Sequence, residues 1–548
     1  MNKLEIIIDG NIYYYDSDTF LYSIAEDFKD KYDSPILVAS IDNEIYELYK
    51  KVKRNCEIKF ITMKDRFGNK IYQKGLIFLL NAAFTELYGT RYKIRVAHSI
   101  DKAIKVETNI GLTLEKLNSI KDKMNELVKQ DIVIEKCLIK RKEAQNYFNK
   151  IEDYNKANTF LYVTNHYVNL YKLNNTYNYL YSDMPHSTSC FISFDLEYVD
   201  NHTFILKFPG YNDEEIPKYT KRPRIEAAYK DQYEICKSFN ITTSSDLNKV
   251  VSEGNINSLI KLDEVMASNN LLNIAKQISD NKNIKLVLLA GPSSSGKTTT
   301  AKKLSLYLKS FGLNPKQLSI DNYFLERKDT PKLENGDYDF ETINAVDIKL
   351  FNDHLERLLE GEEVETPTFD FISGEKKYLK TYLKLKDNDI LIIEGLHAIN
   401  EELTKNISKD KKYKIYVSPF ISLNIDNLNP ISTTDIRLLR RIIRDNRTRG
   451  YNVLDTLKQW DNVRNGEEKN IFPFQEDVDA IYNTGLIYEC GILKLYALPL
   501  LYEIKPDSIY YEQVRKLIRF LDMFLAIPSD SVPEESILRE FIGKSFFE

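Results

Sequence analysis

A glycine- and serine-rich loop near the middle of the sequence carries the clearest chemistry. Residues 291–298 read Gly-Pro-Ser-Ser-Ser-Gly-Lys-Thr and fit the pattern G-x-x-x-x-G-K-[ST] at every fixed position. The apolar run 284–290 before the loop predicts a buried strand, and the stretch 299–309 after it has the spacing of a helix with one apolar face. Backbone N–H groups at the start of such a helix point at an anion, so the loop is predicted to bind phosphate groups.

The residue types in the loop suggest separate tasks for its members. We expect Lys297 to reach the β- and γ-phosphates of a nucleoside triphosphate and the Thr298 hydroxyl to hold Mg²⁺. The predicted nucleotide-binding residues are Gly291, Ser293, Ser294, Ser295, Gly296, Lys297, Thr298 and Thr299. The alternative is a chance Gly/Ser loop, which the flanking strand and helix argue against.

Two acidic residues follow predicted strands further along the chain. Asp321 comes after the run 318–320, and Glu394 ends the apolar run 389–393. The carboxyl ends of parallel strands meet at one edge of a sheet, beside the phosphate site. There Asp321 can accept a proton from a substrate hydroxyl or bind Mg²⁺ through water, or it can merely cap the next helix. Glu394 fits the metal side of the site better than a core position, where an unpaired carboxylate is costly.

Arginine is concentrated in the stretch 437–449. Six arginines lie there, and four of them recur at helical spacing. Guanidinium groups make planar, bidentate contacts with phosphate. One interpretation is a lid that closes over the γ-phosphate, and the other is a solvated basic helix face. We favour the lid, because phosphoryl transfer needs positive charge beyond Lys297.

Composition excludes several classes of protein. The chain has 548 residues, of which 43% are hydrophobic and 29% charged, as in soluble globular proteins of several domains. A net charge of -5 gives no support for a globally basic nucleic-acid binder. The five cysteines are scattered without a C-x-x-C pair, which argues against a disulfide framework or a cysteine-rich zinc site. We find no signal-peptide pattern and no apolar run near the roughly 18 residues of a membrane span, so we expect a cytoplasmic protein that does not enter a membrane.

Hydrophobic patterning predicts a multidomain chain of mixed α/β and α+β type. The predicted regions are 1–63 (a small α+β unit), 64–225 (helices mixed with strands), 226–282 (a helical connector), 283–500 (alternating strands and helices) and 501–548 (a terminal helical segment). The alternation in 283–500 predicts a parallel sheet. A strand is predicted at 189–194 within the second region. The oligomeric state is left open.

The region that contains the loop resembles the uridine kinase and phosphoribulokinase family of P-loop kinases. The matching pieces are 291–299, 321–324, 338–340, 367–371, 393–395 and 444–450. The resemblance implies a kinase that uses ATP and Mg²⁺ and phosphorylates a small hydroxylated substrate, a nucleoside at its 5′-hydroxyl. A sugar phosphate or another small alcohol is the alternative acceptor.

The resemblance also implies roles for individual residues. Asp321 corresponds to the general base, Asp339 to a ribose ligand, and Phe369 to an aromatic residue of the base pocket. The implied catalytic residues are Asp321, Lys297, Arg444 and Arg449, the implied metal-side residues are Thr298, Glu394 and Asp321, and the implied substrate-binding residues are Asp339, Phe369 and Asp321. Nucleoside kinases of the family often carry His and Arg just after the last aromatic piece, whereas 372–376 here reads Ile-Ser-Gly-Glu-Lys, so base specificity stays open.

The front of the chain resembles a different family. Residues 1–63 look like a TGS domain, a small β-grasp module, and 64–225 look like the second additional domain of threonyl-tRNA synthetase. That domain edits mischarged tRNA with an H-x-x-x-H pair and a C-x-x-x-H pair. Here the first pair is His98 with Lys102 and the second is Ser182 with His186, so two of four positions are lost and we expect no catalysis there. This resemblance motivates a rival function, a tRNA- or ribosome-associated regulator in which the ATP site acts as a switch.

Overall fold

A computed structural model describes most of the chain. The described residues are 3–100, 102–333, 336, 338–370 and 373–548. Phe371 and Ile372, which belong to two of the motif segments above, lie outside them. Within these ranges no helix combines the length and the apolar composition that a bilayer span requires.

A mixed five-stranded sheet packs against one helix at the amino-terminal end. Its elements are β1 (Lys3–Ile8), β2 (Asn11–Asp16), α1 (Leu21–Glu26), β3 (Ile36–Ile41), β4 (Glu44–Glu47) and β5 (Cys56–Thr62). The strand order is β2-β1-β5-β3-β4, with β1 parallel to β5 and the other neighbours antiparallel. Cys56, Ile58 and Phe60 alternate with exposed residues along β5 and enter the core beneath α1, as expected for a strand with one buried face.

The next stretch of chain combines helices with two antiparallel sheets. Its elements are α2 (Arg66–Tyr88), β6 (Ile94–Ile100), β7 (Ala103–Thr108), α3 (Leu114–Lys129), β8 (Glu135–Lys140), α4 (Arg141–Lys150), α5 (Tyr154–Thr159), β9 (Tyr167–Leu173), β10 (Thr176–Asn178), β11 (Asp195–Asp200) and β12 (Thr203–Lys207). The sheets have the orders β11-β12-β7-β6 and β10-β9-β8. We refer to residues 3–207 as the amino-terminal half.

The strand predicted at 189–194 is wrong. Thr188–Cys190 forms a 3-10 turn, and β11 begins only at Asp195. The Thr188 hydroxyl donates to the Leu127 carbonyl (2.6 Å) and accepts from the Ile132 N–H (2.9 Å). These bonds connect the turn to the end of α3. Strand propensity, which depends on neighbouring residues only, does not predict such a tertiary contact.

Three helices lead into a parallel sheet that carries the phosphate-loop motif. The helices are α6 (Pro223–Ser238), α7 (Ser244–Ser252) and α8 (Ile256–Asp280). They are followed by β13 (Leu286–Ala290), α9 (Lys297–Ser310), β14 (Asn314–Ser319), α10 (Ile348–Leu359), β15 (Glu363–Glu365), β16 (Thr368–Asp370), β17 (Glu375–Lys377), β18 (Tyr382–Lys384), β19 (Asp389–Glu394), β20 (Lys412–Ser418), β21 (Asn424–Asp426), β22 (Asn429–Pro430), α11 (Thr433–Arg449), α12 (Val453–Asn470), β23 (Ala480–Asn483) and α13 (Glu489–Leu501). Five of the strands form the parallel sheet, in the order β14-β19-β13-β20-β23.

The last helices, α14 (Tyr511–Leu521) and α15 (Arg539–Ile542), share the core of this sheet. One buried cluster joins Leu271 of α8, Leu304 of α9, Leu439 of α11, Leu517 of α14 and Phe541 of α15. The predicted connector and terminal segment therefore pack on the sheet as part of its fold, because their apolar faces enter its core.

A loop from the parallel-sheet region enters the amino-terminal half. Leu428, between β21 and β22, belongs to the hydrophobic core of that half. The Lys156 ammonium and the Asp426 carboxylate, both fully buried, form an ion pair (3.6 Å), and the Val96 N–H donates to the Asn427 carbonyl (2.8 Å). Helix α11 begins shortly after this loop, so the amino-terminal half holds the approach to the arginine-rich helix.

Candidate active site

The phosphate loop has the geometry that the motif predicts. It connects the end of β13 to the start of α9, with Ser294 and Gly296 at positive φ (59° and 87°). A Cβ on Gly291 would lie 2.1 Å from the Val417 carbonyl oxygen of β20, so only glycine fits there. The Lys297 ammonium donates to the Gly291 carbonyl (2.9 Å), which keeps it beside the loop. The N–H groups of the first turn of α9 are thereby presented as an anion site.

A buried glutamate of α12 holds the loop from behind. The Ser293 N–H donates to the Glu467 carboxylate (2.9 Å), and Arg437 of α11 makes a two-pronged ion pair with the same carboxylate. Arg441 donates to the Ser293 hydroxyl (2.9 Å). Burial opposes the charge on Glu467, but Arg437, Arg464 and the Ser293 N–H together outweigh burial and lower the pKa of that carboxyl. The loop is thus fixed to α11 and α12 by charge-assisted hydrogen bonds.

Two carboxyl groups meet at the edge of the sheet beside the loop. Glu394 ends β19, and Asp321 lies in a 3-10 turn directly after the neighbouring strand β14. Burial raises the pKa of Asp321, while Lys297 and the arginines Arg449 and Arg444 favour its charged form. Burial, followed by the charge of Asp321, raises the pKa of Glu394 to about 7. The two carboxyl groups therefore lie at the carboxyl ends of neighbouring parallel strands, and the charge of Asp321 acts on Glu394.

These carboxyl groups fit a magnesium ion. Mg²⁺ in phosphoryl-transfer sites is bound by one or two carboxylates together with substrate phosphates. The negative charges of Asp321 and Glu394 repel each other, which disfavours the charged form of Glu394. A divalent cation between them would offset this repulsion. The Thr298 side chain is exposed at the start of α9, where it is free to contribute a hydroxyl.

The last turns of α11 carry Arg444 and Arg449 toward Asp321. A fully buried carboxylate, Asp445, organises them: it accepts two hydrogen bonds from Arg444 (2.8 and 3.0 Å) and pairs with Arg441 (3.2 Å) and Arg449 (3.6 Å). Sequence reasoning included Asp445 in a motif but gave it no task. The sequence feature that could have identified it is an acidic residue in the middle of a run of arginines.

Four of the six arginines of α11 fall into two pairs with different surroundings, which the lid interpretation did not predict. Arg437 and Arg440 are fully buried and paired with Glu467 and Glu489, so they stabilise the fold. Arg444 and Arg449 are the members that face the acidic site. Helical spacing alone does not separate the two groups, because the helix is covered on most sides.

The predicted acceptor residues Phe369 and Asp339 each make contacts that the structure describes. Phe369 is buried with its ring against Phe324 (5.7 Å between ring centres). The Asp339 carboxylate accepts from the Glu341 N–H (3.1 Å) and so shapes the local turn. Glu341 is buried close to several charged groups of the site: burial raises its pKa to about 8, with Glu467, Arg441, Lys297 and Asp321 as its charged neighbours. Sequence reasoning missed Glu341, two residues after the assigned acid.

Three of the four positions compared with the synthetase editing site have separate surroundings. The His98 ring stacks on Tyr229 (4.0 Å between ring centres), and burial lowers its pKa to about 3. Lys102 pairs with Asp213 (2.6 Å), while the His186 ring stacks on Tyr22 of α1 (4.8 Å). Each imidazole stacks on a separate aromatic ring. The absence of catalysis at these positions and the relation to the synthetase domain stay predictions.

The sheet, the loop and the strand-end acids together define a P-loop kinase domain. Comparison with known proteins gives the family: residues 286–486 match the model of the phosphoribulokinase/uridine kinase family. The chain belongs to that family, and it is accordingly a kinase that uses ATP and Mg²⁺.

Individual relatives match the same region. The uridine kinase of Borreliella burgdorferi (strain ZS7) is 33% identical over 202 residues, which cover 37% of this chain and 87% of that protein. The uridine kinase of Mycoplasma genitalium is 34% identical over 181 residues, which cover 33% of this chain and 75% of that protein. A solved structure described as a possible uridine kinase from Bacillus stearothermophilus aligns at 18% identity with a TM-score of 0.25, over 36% of this chain and 89% of its own.

Proposed function

We propose that the chain transfers the γ-phosphoryl group of ATP to the 5′-hydroxyl of a nucleoside. The observation that supports this most directly is the position of Asp321 directly after β14, beside Glu394 at the end of the neighbouring β19. The charges of Lys297, Arg449 and Arg444 favour its ionised form. A carboxylate beside the phosphate loop and its cations can take a proton from an acceptor hydroxyl. The relatives named above are uridine kinases, which favours a nucleoside acceptor.

In the proposed reaction the acceptor oxygen attacks the γ-phosphorus, its proton passes to Asp321, and ADP leaves. Burial raises the pKa of Asp321, which makes it a better proton acceptor than a solvated carboxylate. Lys297, Arg444 and Arg449 stabilise the charge that spreads over the transferring group. Glu394 and Thr298 would hold Mg²⁺, which would supply neutralisation of the charge on the phosphate oxygens.

We assign the acceptor side to Phe369 and to two acids. The buried Phe369 and Phe324 rings offer an apolar wall for a base. Glu341, with its pKa raised to about 8, is protonated near neutral pH and can both donate to and accept from a sugar hydroxyl. We therefore propose that Glu341 contacts the acceptor and that Asp339 supports it.

A panel of acceptors tests the proposal. ADP release is measured with uridine, cytidine, adenosine, a sugar phosphate and a small alcohol in turn. A nucleoside-dependent rate supports the proposal, and a rate seen only with the sugar phosphate or the alcohol moves the chain to the alternative acceptor class.

Asp321→Asn tests the assignment of the base. It should lower kcat by about 10²–10⁴-fold and leave ADP binding little changed. Asp329→Asn, an exposed acid of the same loop, should keep the wild-type rate. Wild-type turnover by Asp321→Asn would remove the base assignment.

We propose that the amino-terminal half is a non-catalytic module like the TGS and second additional domains. The mixed sheet of β1–β5 and the unmatched surroundings of His98 and His186 support this. Binding of tRNA is measured across salt concentrations, since phosphate contacts weaken as salt rises. Specific tRNA binding without any acceptor-dependent ATP turnover would favour the regulator over the kinase.

A further inference from the structure

The end of the chain lies across the phosphate loop. We call residues 529–548 the carboxyl-terminal segment. A Cβ on Gly296 would lie 2.6 Å from the Ile537 side chain, so the segment touches the loop at its second glycine. Leu538 and Phe541 are buried in the same core as α9 and α11. The segment is therefore packed against the nucleotide site.

The Glu540 carboxylate of this segment occupies part of the anion site. It accepts a hydrogen bond from the Thr299 N–H (3.2 Å), in the first turn of α9. That N–H belongs to the group of amides that the phosphate loop offers to a nucleotide. The charge of Glu540 also contributes to the raised pKa of Glu394, so Glu540 lies near the carboxyl groups on the metal side. A side-chain anion thus binds where a phosphate group would bind.

The backbone around Glu540 is anchored independently of its side chain. Arg447 of α11 donates to the Glu540 carbonyl (3.0 Å) and the Phe541 carbonyl (3.2 Å), and Lys302 of α9 donates to the Phe547 carbonyl (2.7 Å). Arg539 and Phe541 are buried, whereas the Glu540 side chain is partly exposed. The carboxylate can rotate away from Thr299 without unpacking the segment.

We infer that Glu540 is an autoinhibitory occupant of the phosphate cradle, which a nucleotide must displace from Thr299 before its own phosphates bind. Two anions at this position repel each other, and the nearby Glu394 adds to the repulsion. The affinity of the loop for a nucleotide is therefore set by how readily Glu540 leaves. The inference rests on ATP use at this loop and is independent of the acceptor.

Isothermal titration of ADP with Mg²⁺, without any acceptor, tests the inference. Glu540→Gln keeps the shape of the side chain and removes its charge, and it should bind ADP about 3–10-fold more tightly than the wild type. The matched control is Glu534→Gln, an exposed acid of the same segment, which should bind like the wild type. Unchanged or weaker binding by Glu540→Gln overturns the inference, because Glu540 would then be indifferent or helpful to the nucleotide.

A second probe locates the effect. Pyrophosphate carries the charge of the nucleotide without its base, so its affinity should rise in Glu540→Gln as well. A gain for ADP that is absent for pyrophosphate overturns the assignment of Glu540 to the phosphate position. If neither protein binds ADP, nucleotide use at this loop fails and the inference falls with it. If Glu540→Gln binds both ADP and pyrophosphate more tightly but the protein does not phosphorylate nucleosides, only the proposed acceptor is refuted.

Discussion

The first prediction concerns the stability and activity of a variant at Asp445, the carboxylate that Arg441, Arg444 and Arg449 all contact. Its side chain is fully buried, and the three guanidinium groups approach it at 2.8 to 3.6 Å. Asp445→Asn keeps the volume of the side chain but removes its charge and directs an N–H₂ group at the same cations. The result is a positive cluster without its counter-ion.

The size of the effect follows from burial. Removing one partner of a buried ion pair costs about 3–5 kcal/mol, since the remaining charge is left without compensation. In a domain of this size about 1 kcal/mol shifts the melting temperature by roughly 2–4 °C, so we expect a fall of about 6–20 °C. We also expect kcat to fall about 10–100-fold, because Arg444 and Arg449 lose the group that orients them toward Asp321.

The assay combines thermal melting with steady-state ATP turnover. Asp353→Asn is the matched control, since Asp353 forms an exposed pair with Arg357 (3.6 Å) and exposed pairs contribute little. Its melting temperature should stay within about 2 °C of the wild type. An Asp445→Asn protein that melts and turns over like the control would show that the arginines do not depend on this carboxylate.

Three further predictions concern the loop and the metal side. Lys297→Ala should weaken ATP binding and lower kcat by about 10²–10³-fold, and wild-type turnover would contradict its contact with the phosphates. Gly296→Ala places a side chain at φ 87°, 2.6 Å from Ile537, so its melting temperature should fall, and an unchanged value would argue against contact with the carboxyl-terminal segment. Because Glu394 is protonated below a pKa of about 7, kcat/KM should rise between pH 6 and pH 8, and added Mg²⁺, which competes with the proton, should move that rise to lower pH. Ser319→Ala removes a hydrogen bond that favours the charged form of Glu394, so the rise in kcat/KM should move to higher pH. If neither added Mg²⁺ nor Ser319→Ala shifts the pH profile, Glu394 is not the titrating group.

Local sequence was sufficient for the parts of the site that follow one strand or one turn. The loop at 291–298, Asp321 and Glu394 were predicted because a glycine pattern and the ends of apolar runs are local features. Their side chains meet because parallel strands present their carboxyl ends at one edge. The helix predicted after the loop, over 299–309, also matches the observed α9 (Lys297–Ser310).

Long-range contacts account for what sequence reasoning missed. Glu540 reaches Thr299 across 241 positions of the chain, and Glu467 reaches Ser293 across 174. Nothing in the local pattern around either acid predicts its partner. Long-range contacts also determine the roles of Arg437 and Arg440. Both have the same helical spacing as Arg444, but their buried carboxylate partners come from α12 and α13.

The insertion of Leu428 and Asp426 into the amino-terminal half has a consequence for how the molecule can be divided. A fragment that begins after β12 would expose the Leu428 side chain to water. It would also leave the Asp426 carboxylate without its ion-pair partner Lys156. The damage would fall just ahead of α11, the helix that brings positive charge to Asp321. We therefore expect a fragment without the front of the chain to lose order in the segment just before α11.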